Sequence, residues 1–187
     1  MKAAVIFPGI GYHTDKPLLY YGKKLARESG YQIIEVNYTG FPQNVKGNEE
    51  KMKQSFQIAR TQAEELLCDV NFNEYESVLF ISKSIGTVVA AAYDKDHAVN
   101  AKHIYFTPVP QTFFFAREAS GIVFHGLNDP WCETAVVEES CQRLRLPLKT
   151  FGGANHSLET GNCLKDLEIM GMIFDSLRGE GNAIYGI

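Results

Sequence analysis

Short apolar runs alternate with segments of helical periodicity along the whole chain, and this alternation constrains the fold more than any other feature. Continuous apolar runs are typical of strands buried on both faces, as in a parallel sheet covered by helices. Right-handed crossovers then leave the sheet in the middle of three layers. The sequence therefore predicts an α/β fold, a three-layer α/β/α sandwich. Six strands are expected, at residues 3–7, 32–37, 77–82, 103–106, 122–125 and 148–151.

Five helices are expected between these strands. The segment 48–70 has apolar residues at alternating spacings of four and three, with acidic residues in its first turn, where the helix dipole favours them. The segment 84–93 is apolar on nearly every side, which is typical of a helix buried against a sheet. The remaining helices are expected at residues 16–29, 133–144 and 162–178, with Gly179 and Gly181 ending the last of them.

The size and charge of the chain exclude several classes of protein. The 187 residues, of which 45% are hydrophobic, are enough for one sizeable core, so we expect a single domain over residues 1–187. A net charge of −4 leaves no basic face for a phosphate backbone, and nucleic acid is therefore not an expected partner. Every apolar run is shorter than the roughly 20 residues of a membrane span, so no membrane association is expected. Four cysteines without a C-x-x-C pair favour reduced thiols and a cytoplasmic location.

The sequence S-K-S-I-G, at residues 82–86, lies between a predicted strand and the most apolar helix. This is the strand, sharp turn and helix context of a nucleophile elbow, where the turn is too tight for large side chains. Ser84 is the candidate nucleophile, because small residues, Ser82 and Gly86, stand two positions before and after it. A tight turn whose serine caps the following helix explains the same pattern. Lys83 is interpreted as a solvated lysine, or as one that faces the mouth of the site.

A carboxylate and a histidine follow two later strands at the points where these strands end. Asp129 comes just after the strand 122–125, and His156 lies in the loop after the last strand. Open α/β sheets collect their functional groups at the carboxyl ends of strands, which makes these residues the candidate acid and base. Asp129 also fits an Asp-Pro turn that starts a helix. His125 lies within a strand and is interpreted as a hydrogen-bonded core residue.

With these motifs the chain resembles the α/β-hydrolase superfamily over essentially its whole length. The order serine, acid, histidine is the order of that family, H-G-L-N-D-P-W is similar to its acid loop, and G-A-N-H-S is similar to its histidine loop. The resemblance implies a catalytic triad of Ser84, Asp129 and His156. It also implies a six-stranded, mainly parallel sheet in the order 2-1-3-4-5-6, here without the usual antiparallel strands at the start. Residues 107–120 leave little room for a lid.

The loop F-P-G-I-G after the first strand stands where the family keeps its oxyanion loop, although Pro8 occupies a position where histidine is common. The resemblance therefore implies an oxyanion hole formed by the backbone N–H groups of Ile10 and Ile85. Donors from the backbone explain why both residues are apolar. Gly9 and Gly11 are candidate pocket residues, and they also fit a simple turn between a strand and a helix; the two interpretations are compatible.

Two aromatic residues are further pocket candidates. Phe113 belongs to an aromatic cluster at residues 113–115, and Trp131 follows the candidate acid closely. Core packing explains either residue at least as well as a substrate pocket does.

No metal and no cofactor are expected, because His13 and Asp15 are two potential ligands without a third at a suitable spacing.

The resemblance implies a serine hydrolase that cleaves a carboxylic ester, or a thioester, of a small molecule through an acyl-enzyme on Ser84. A non-catalytic binding or interaction module that retains the hydrolase fold is the alternative, because a fold does not prove an activity. We expect a monomer or a small homo-oligomer. The lack of room for a lid favours short, water-soluble acyl chains, since little apolar surface is available to bury a long one.

Overall fold

Six strands form one sheet in this computed structural model, which describes residues 1–45 and 47–178. The strands are β1 (Lys2–Phe7), β2 (Tyr31–Glu35), β3 (Ser77–Lys83), β4 (Lys102–Phe106), β5 (Gly121–Gly126) and β6 (Leu148–Phe151). Their order is β2-β1-β3-β4-β5-β6, and all five neighbouring pairs are parallel. The predicted α/β fold and strand order are confirmed. Where a mainly parallel sheet was expected, every described pairing is parallel.

The five predicted helices are present, with ends within four residues of the expected ones, and one short helix was not expected. The short helix lies in the crossover between β4 and β5. The expected stop of the last helix at Gly179 and Gly181 lies outside the described residues. The helices are α1 (Pro17–Glu28), α2 (Glu49–Leu67), α3 (Ile85–His97), α4 (Thr112–Phe115), α5 (Thr134–Arg143) and α6 (Cys163–Ser176), with a 3-10 turn at Phe72–Glu74.

The apolar side chains of the strands are buried alternately on the two faces of the sheet. In β1, Ile6 packs with residues of α1 and α6 on one face. The next residue, Phe7, packs with residues of α2 and α3 on the opposite face. Helices on both faces explain why the central strands are apolar at nearly every position. Among the described residues, no helix combines the length and the apolar character that crossing a membrane requires.

The amino-end side of the sheet carries a buried polar network centred on Asp94, which is 1% exposed. One carboxylate oxygen lies 3.0 Å from His103 Nε2 and accepts a hydrogen bond from Arg117 Nε at 2.8 Å, while the other accepts one from the Ala101 amide. Burial raises the pKa of Asp94, but these hydrogen bonds outweigh it and hold that pKa below its ordinary value. The network joins α3 to β4, and its residues lie far from the carboxyl ends of the strands.

Candidate active site

Ser84 occupies a sharp turn between β3 and α3. Its backbone has φ 55° and ψ −124°, in a region that favours glycine over a residue with a side chain. The amide of Ser84 donates to the Phe106 carbonyl at 3.1 Å, and its carbonyl accepts from the Thr87 amide in the first turn of α3. These bonds hold the turn against its intrinsic preference. The hydroxyl is thereby raised above the carboxyl edge of the sheet.

The residues on either side of this turn are small because backbone passes close to them. A Cβ atom on Gly86 would lie 2.3 Å from the Phe7 carbonyl oxygen, so no side chain fits there. Ser82 is fully buried in the middle of the sheet and donates to the Ile104 carbonyl at 3.2 Å. The pattern of small residues around Ser84 therefore has a steric cause.

The substitution Gly86→Ala is expected to destabilise the fold by about 3 kcal/mol, the upper end of the range for overpacking, because the added methyl group meets backbone that cannot rotate away. Urea unfolding would measure the change. Gly171→Ala is a matched control, because nothing lies within 4 Å of the Cβ position there. In the exposed helix α6 that control is expected to gain up to about 1 kcal/mol. Equal stability of the two variants would contradict the steric explanation.

Ser84, His156 and Asp129 form one chain of hydrogen bonds. Ser84 Oγ lies 2.8 Å from His156 Nε2, and His156 Nδ1 lies 2.7 Å from Asp129 Oδ2. Because a carboxylate only accepts, Nδ1 carries the proton and Nε2 is free to accept from the serine hydroxyl. The three predicted residues, which are up to 72 positions apart in the sequence, are thus brought together.

The loops that carry the acid and the histidine are fastened at several points. Asp129 has a fully buried side chain, and its second oxygen accepts from the Trp131 amide at 2.9 Å. The Thr107 hydroxyl donates to the His156 carbonyl at 2.9 Å, and Thr107 itself has a positive φ of 43°. The Asn128 amide donates to the Ala154 carbonyl, which joins the two loops directly. Both side chains are therefore held before any ligand arrives.

The His156 imidazole is poised to be neutral. Burial lowers its pKa below the ordinary value of 6.5, the hydrogen bond to Asp129 opposes this shift, and the positive charge of Lys83 lowers the pKa further. Lys83 itself is 1% exposed. The interpretation of Lys83 as a solvated lysine, or as one that faces the mouth of the site, is therefore wrong: it is the last residue of β3 and its side chain is buried beneath the loops.

His125 lies directly behind the acid. Its Nε2 atom is 3.0 Å from the Thr134 hydroxyl, but its Nδ1 atom has no hydrogen-bond partner among the described residues and is 4.0 Å from Asp129 Oδ2. The expectation of a hydrogen-bonded core histidine is thus met at one nitrogen only. Burial lowers the pKa of His125, which keeps this ring neutral beside the carboxylate.

The two predicted oxyanion donors flank Ser84. Ile85 is the first residue of α3, where helix amides have no partner within the helix. Ile10 lies in a tight turn closed by two hydrogen bonds between Gly9 and Tyr12. Within residues 1–45 and 47–178 neither the Ile10 nor the Ile85 amide donates to another group. Both are therefore available to a ligand oxygen.

Gly9 and Gly11 have different positions in this turn. A Cβ atom on Gly9 would lie 3.1 Å from the Ser84 Cβ, so Gly9 lets the turn approach the serine closely. Gly11 has a φ of 69°, which favours glycine, and nothing lies within 4 Å of its Cβ position. Gly11 therefore shapes the turn and does not pack against the serine.

A cleft of about 510 Å³ opens directly over Ser84. Trp131 is one of its walls, with a ring centroid 5.5 Å from that of His156. Phe113 does not line the cleft: it is 3% exposed and packs with the α5 side of the core, which corrects its prediction as a pocket residue. The physical reason is the direction of the short helix α4, which turns Phe113 inward. The cleft is lined by Ile10, Pro42, Gln43, Asn44, Val45, Met52, Ser84, Ile85, Trp131 and His156.

A second, apolar groove of about 320 Å³ adjoins this cleft. The two share Met52 and Ile85, so the groove begins where the cleft over Ser84 ends. Its far wall is formed by Phe114 and Phe115 of α4, and the Phe115 ring stacks on Phe56 of α2 with centroids 6.2 Å apart. An apolar chain attached to Ser84 could thus leave the cleft along this groove.

The two potential metal ligands, His13 and Asp15, are engaged in other contacts. His13 Nδ1 accepts from the Asp15 amide, and the Asp15 carboxylate pairs with Lys23 at 3.0 Å. In the part of the chain that the structure describes, no three His, Cys, Asp or Glu side chains lie close enough together to hold a metal ion.

Comparison with known proteins gives matches in structure but not in sequence. No protein-family model and no curated protein matches the chain. A serine hydrolase homologue from Coxiella burnetii superposes with a TM-score of 0.64 at 14% identity, covering 95% of this chain and 85% of the other. A serine hydrolase without a lid from Xanthomonas campestris gives 0.62 at 12% identity, with coverages of 95% and 81%. The chain has the α/β-hydrolase fold.

A third similar structure is that of esterase 2 from Thermogutta terrifontis, phosphorylated by paraoxon. It superposes with a TM-score of 0.56 at 18% identity, covering 97% of this chain and 84% of the other. The likeness extends over nearly the whole of this chain and over more than four fifths of each of the three others. It establishes the architecture that carries the site, and the chemistry has to be argued from the residues themselves.

Some parts of this candidate site were not found from the sequence. Residues 42–45 and Met52 line the cleft with Ser84, although they lie more than 30 positions before it in the sequence and carry no motif. Thr107 could have been found from its position, since it comes directly after β4 at the carboxyl edge of the sheet. The burial of Lys83 was also indicated by the sequence, since Lys83 lies two residues after the buried Ile81 and therefore on the same face of β3.

Proposed function

We propose that the chain is a serine hydrolase that cleaves a carboxylic ester of a small molecule through an acyl-enzyme on Ser84. The observation that carries this proposal is the continuous hydrogen-bond chain from Ser84 Oγ through His156 to Asp129, with the serine at the floor of a cleft. The likeness in fold to serine hydrolases and to an esterase supports it.

Acylation begins when Ser84 Oγ attacks the ester carbonyl and His156 Nε2 takes the serine proton. The negative charge that develops on the carbonyl oxygen accepts hydrogen bonds from the Ile10 and Ile85 amides, each of which contributes about 3 kcal/mol in such sites. The tetrahedral intermediate collapses as the bond to the alcohol breaks and His156 returns its proton to the departing oxygen. Asp129 holds the imidazole in the tautomer that both steps need.

Deacylation repeats these steps with water. His156 takes a proton from a water molecule, the resulting hydroxide attacks the acyl carbon, and the bond to Ser84 Oγ breaks as His156 returns the proton to the serine. The products are a carboxylic acid and the alcohol released earlier. No metal, cofactor or redox partner enters either half of the reaction.

Labelling with a fluorophosphonate probe and mapping of the labelled peptide test the proposal. Such probes phosphonylate a serine, with loss of fluoride, only when the serine is activated as a nucleophile. We expect labelling of Ser84 and hydrolysis of p-nitrophenyl acetate by the same preparation. A chain that is folded but neither labelled nor able to hydrolyse simple esters would support the alternative, a binding module with an inactive triad.

The lack of a lid favours short acyl chains, but the apolar groove beside the cleft offers a further surface, and we expect the acyl group of the substrate to enter it. The value of kcat/KM for p-nitrophenyl esters should rise from acetate to chains of medium length, by up to about fourfold for each CH₂ removed from water, and then level off. Phe114→Ser should remove much of this rise, because it truncates the far wall. Leu164→Ser on α6 is the matched control, since the two side chains are 73% and 72% exposed. A flat profile, or equal effects of both variants, would contradict this assignment.

A further inference from the structure

Lys83 is a buried lysine that the proposed reaction does not use. It immediately precedes the candidate nucleophile, yet only 1% of its surface is exposed. Lys83 lies two residues after Ile81 in β3, so both side chains are on the same face of the sheet, the one that packs against α1 and α6. The ammonium lies 5.0 Å from the centre of the Tyr12 ring. The same face is covered by Ala154 and Leu158, which stand on either side of His156 in its loop. The ammonium is therefore buried between the oxyanion loop and the histidine loop, one residue from the serine that contacts His156.

The charge of Lys83 is unpaired. No hydrogen bond or ion pair joins its ammonium to any residue in 1–45 and 47–178; it lies over the Tyr12 ring, and the charges of Asp129 and Glu159 act on it only from a distance. Burial of a lysine without a counter-ion costs several kcal/mol, more than one aromatic ring returns. A methionine of similar length would avoid this cost.

Lys23 shows how the same protein treats a buried lysine that has a structural role. Lys23 is 4% exposed, and its ammonium contacts Asp15 at 3.0 Å and Glu35 at 2.9 Å. These carboxylates outweigh the effect of burial and raise the pKa of Lys23 above its ordinary value. Lys83 has no such partners, so its presence at this position needs a different explanation.

We propose that Lys83 is a positioning residue that acts through His156: its ammonium opposes protonation of the imidazole, so that His156 remains a base in mildly acidic solution. This inference rests on the proposed function, because it assigns Lys83 to the same site. Two positive charges close together in a buried site repel strongly, and protonation of one disfavours protonation of the other.

The groups around Lys83 and His156 set the pH range of this effect. Burial lowers the pKa of Lys83 to about 7, although the negative charges of Asp129 and Glu159 oppose the shift. Lys83 is thus charged mainly below neutral pH, where His156 would otherwise take a proton. His125 makes a further contribution that lowers the pKa of His156. Burial raises the pKa of Tyr12 to about 12, so its phenol stays neutral throughout.

The test is an NMR titration of the His156 imidazole in the full chain, with its signal assigned by its loss in His156→Gln. In Lys83→Met the His156 pKa is expected to rise by about half a unit to one unit, the effect of removing one nearby charge. The rate of fluorophosphonate labelling at pH 6, relative to that at pH 8.5, should then fall, by at most about three- to tenfold, because a larger part of His156 is protonated. The melting temperature at pH 6 should rise, since the cost of burying the ammonium is removed.

Lys23→Met is the matched control. It should leave the His156 titration unchanged and lower the melting temperature, because it leaves Asp15 and Glu35 without their partner. The NMR titration needs no activity, so it tests Lys83 even if the chain hydrolyses no ester, which would refute the proposed function alone. Lys83→Gln also removes the charge and replaces Lys83→Met if that variant does not fold. An unchanged His156 titration in a folded neutral variant, or the failure of both neutral variants to fold, overturns the inference.

Discussion

Ser84→Ala is expected to abolish ester hydrolysis, with a loss in kcat on the order of 10⁶, because the three residues of such a triad act as one unit. The alanine retains the Cβ atom and the backbone bonds of the turn, so the melting temperature should change little. The Phe106 carbonyl still accepts from the amide of residue 84. The measurement is the turnover of p-nitrophenyl acetate, with fluorophosphonate labelling of the same samples.

Ser29→Ala is the matched control for this experiment. The Ser29 hydroxyl donates to the Leu25 carbonyl at the end of α1, away from the cleft, and its loss should leave turnover unchanged. Label on any residue other than Ser84, or full activity in Ser84→Ala, would show that the nucleophile has been misassigned.

Asp129→Asn should lower kcat about 10⁴-fold, because the amide group turns the imidazole to the wrong tautomer. An asparagine side chain has one oxygen and one NH₂ group. With its oxygen kept on the Trp131 amide, as Asp129 Oδ1 is at 2.9 Å, it presents the NH₂ group to His156 Nδ1. The nitrogen Nδ1 must then accept, Nε2 carries the proton, and the Ser84 hydroxyl loses its base. The fold is retained because the loop keeps its hydrogen bond.

Asp15→Asn is the control for the acid, since Asp15 lies on the surface and pairs with Lys23. It should keep near-normal turnover. If Asp15→Asn or Asp94→Asn lost activity while Asp129→Asn did not, the assignment of the acid would be wrong. Asp94 contacts residues at the amino end of β4, away from the carboxyl ends that carry Ser84, so we do not expect that outcome.

The strands could be predicted because their apolar runs reflect burial on both faces of a parallel sheet, whereas their order followed from the resemblance to the α/β-hydrolase superfamily. The end of β2 was less clear: the expected strand extends to residue 37, but β2 ends at Glu35 and only the Val36 amide continues the ladder, to the Ile6 carbonyl. The helix α4 has four residues, too few for a periodic pattern to appear. Local sequence carries little information about elements of this length.

The candidate triad could be predicted because each of its residues lies within a few positions of the carboxyl end of a strand. The cleft could not be predicted, since its walls come from segments that are distant in the sequence, such as α2, whose Met52 lines the cleft together with Ser84. Phe113 and Phe114 are neighbours with opposite environments, one in the core and the other 73% exposed. Only the direction of a single helical turn decides between them.

The backbone at Ser84 has a consequence for how this chain can change over generations. With φ at 55°, the residue that the backbone prefers at this position is glycine, which has no side chain with which to attack a carbonyl. Stability therefore favours glycine at this position, whereas the proposed reaction requires serine. Under the proposed function a serine is retained there for its reactivity, and Ser84→Gly is the single substitution that would relax the turn and remove the nucleophile.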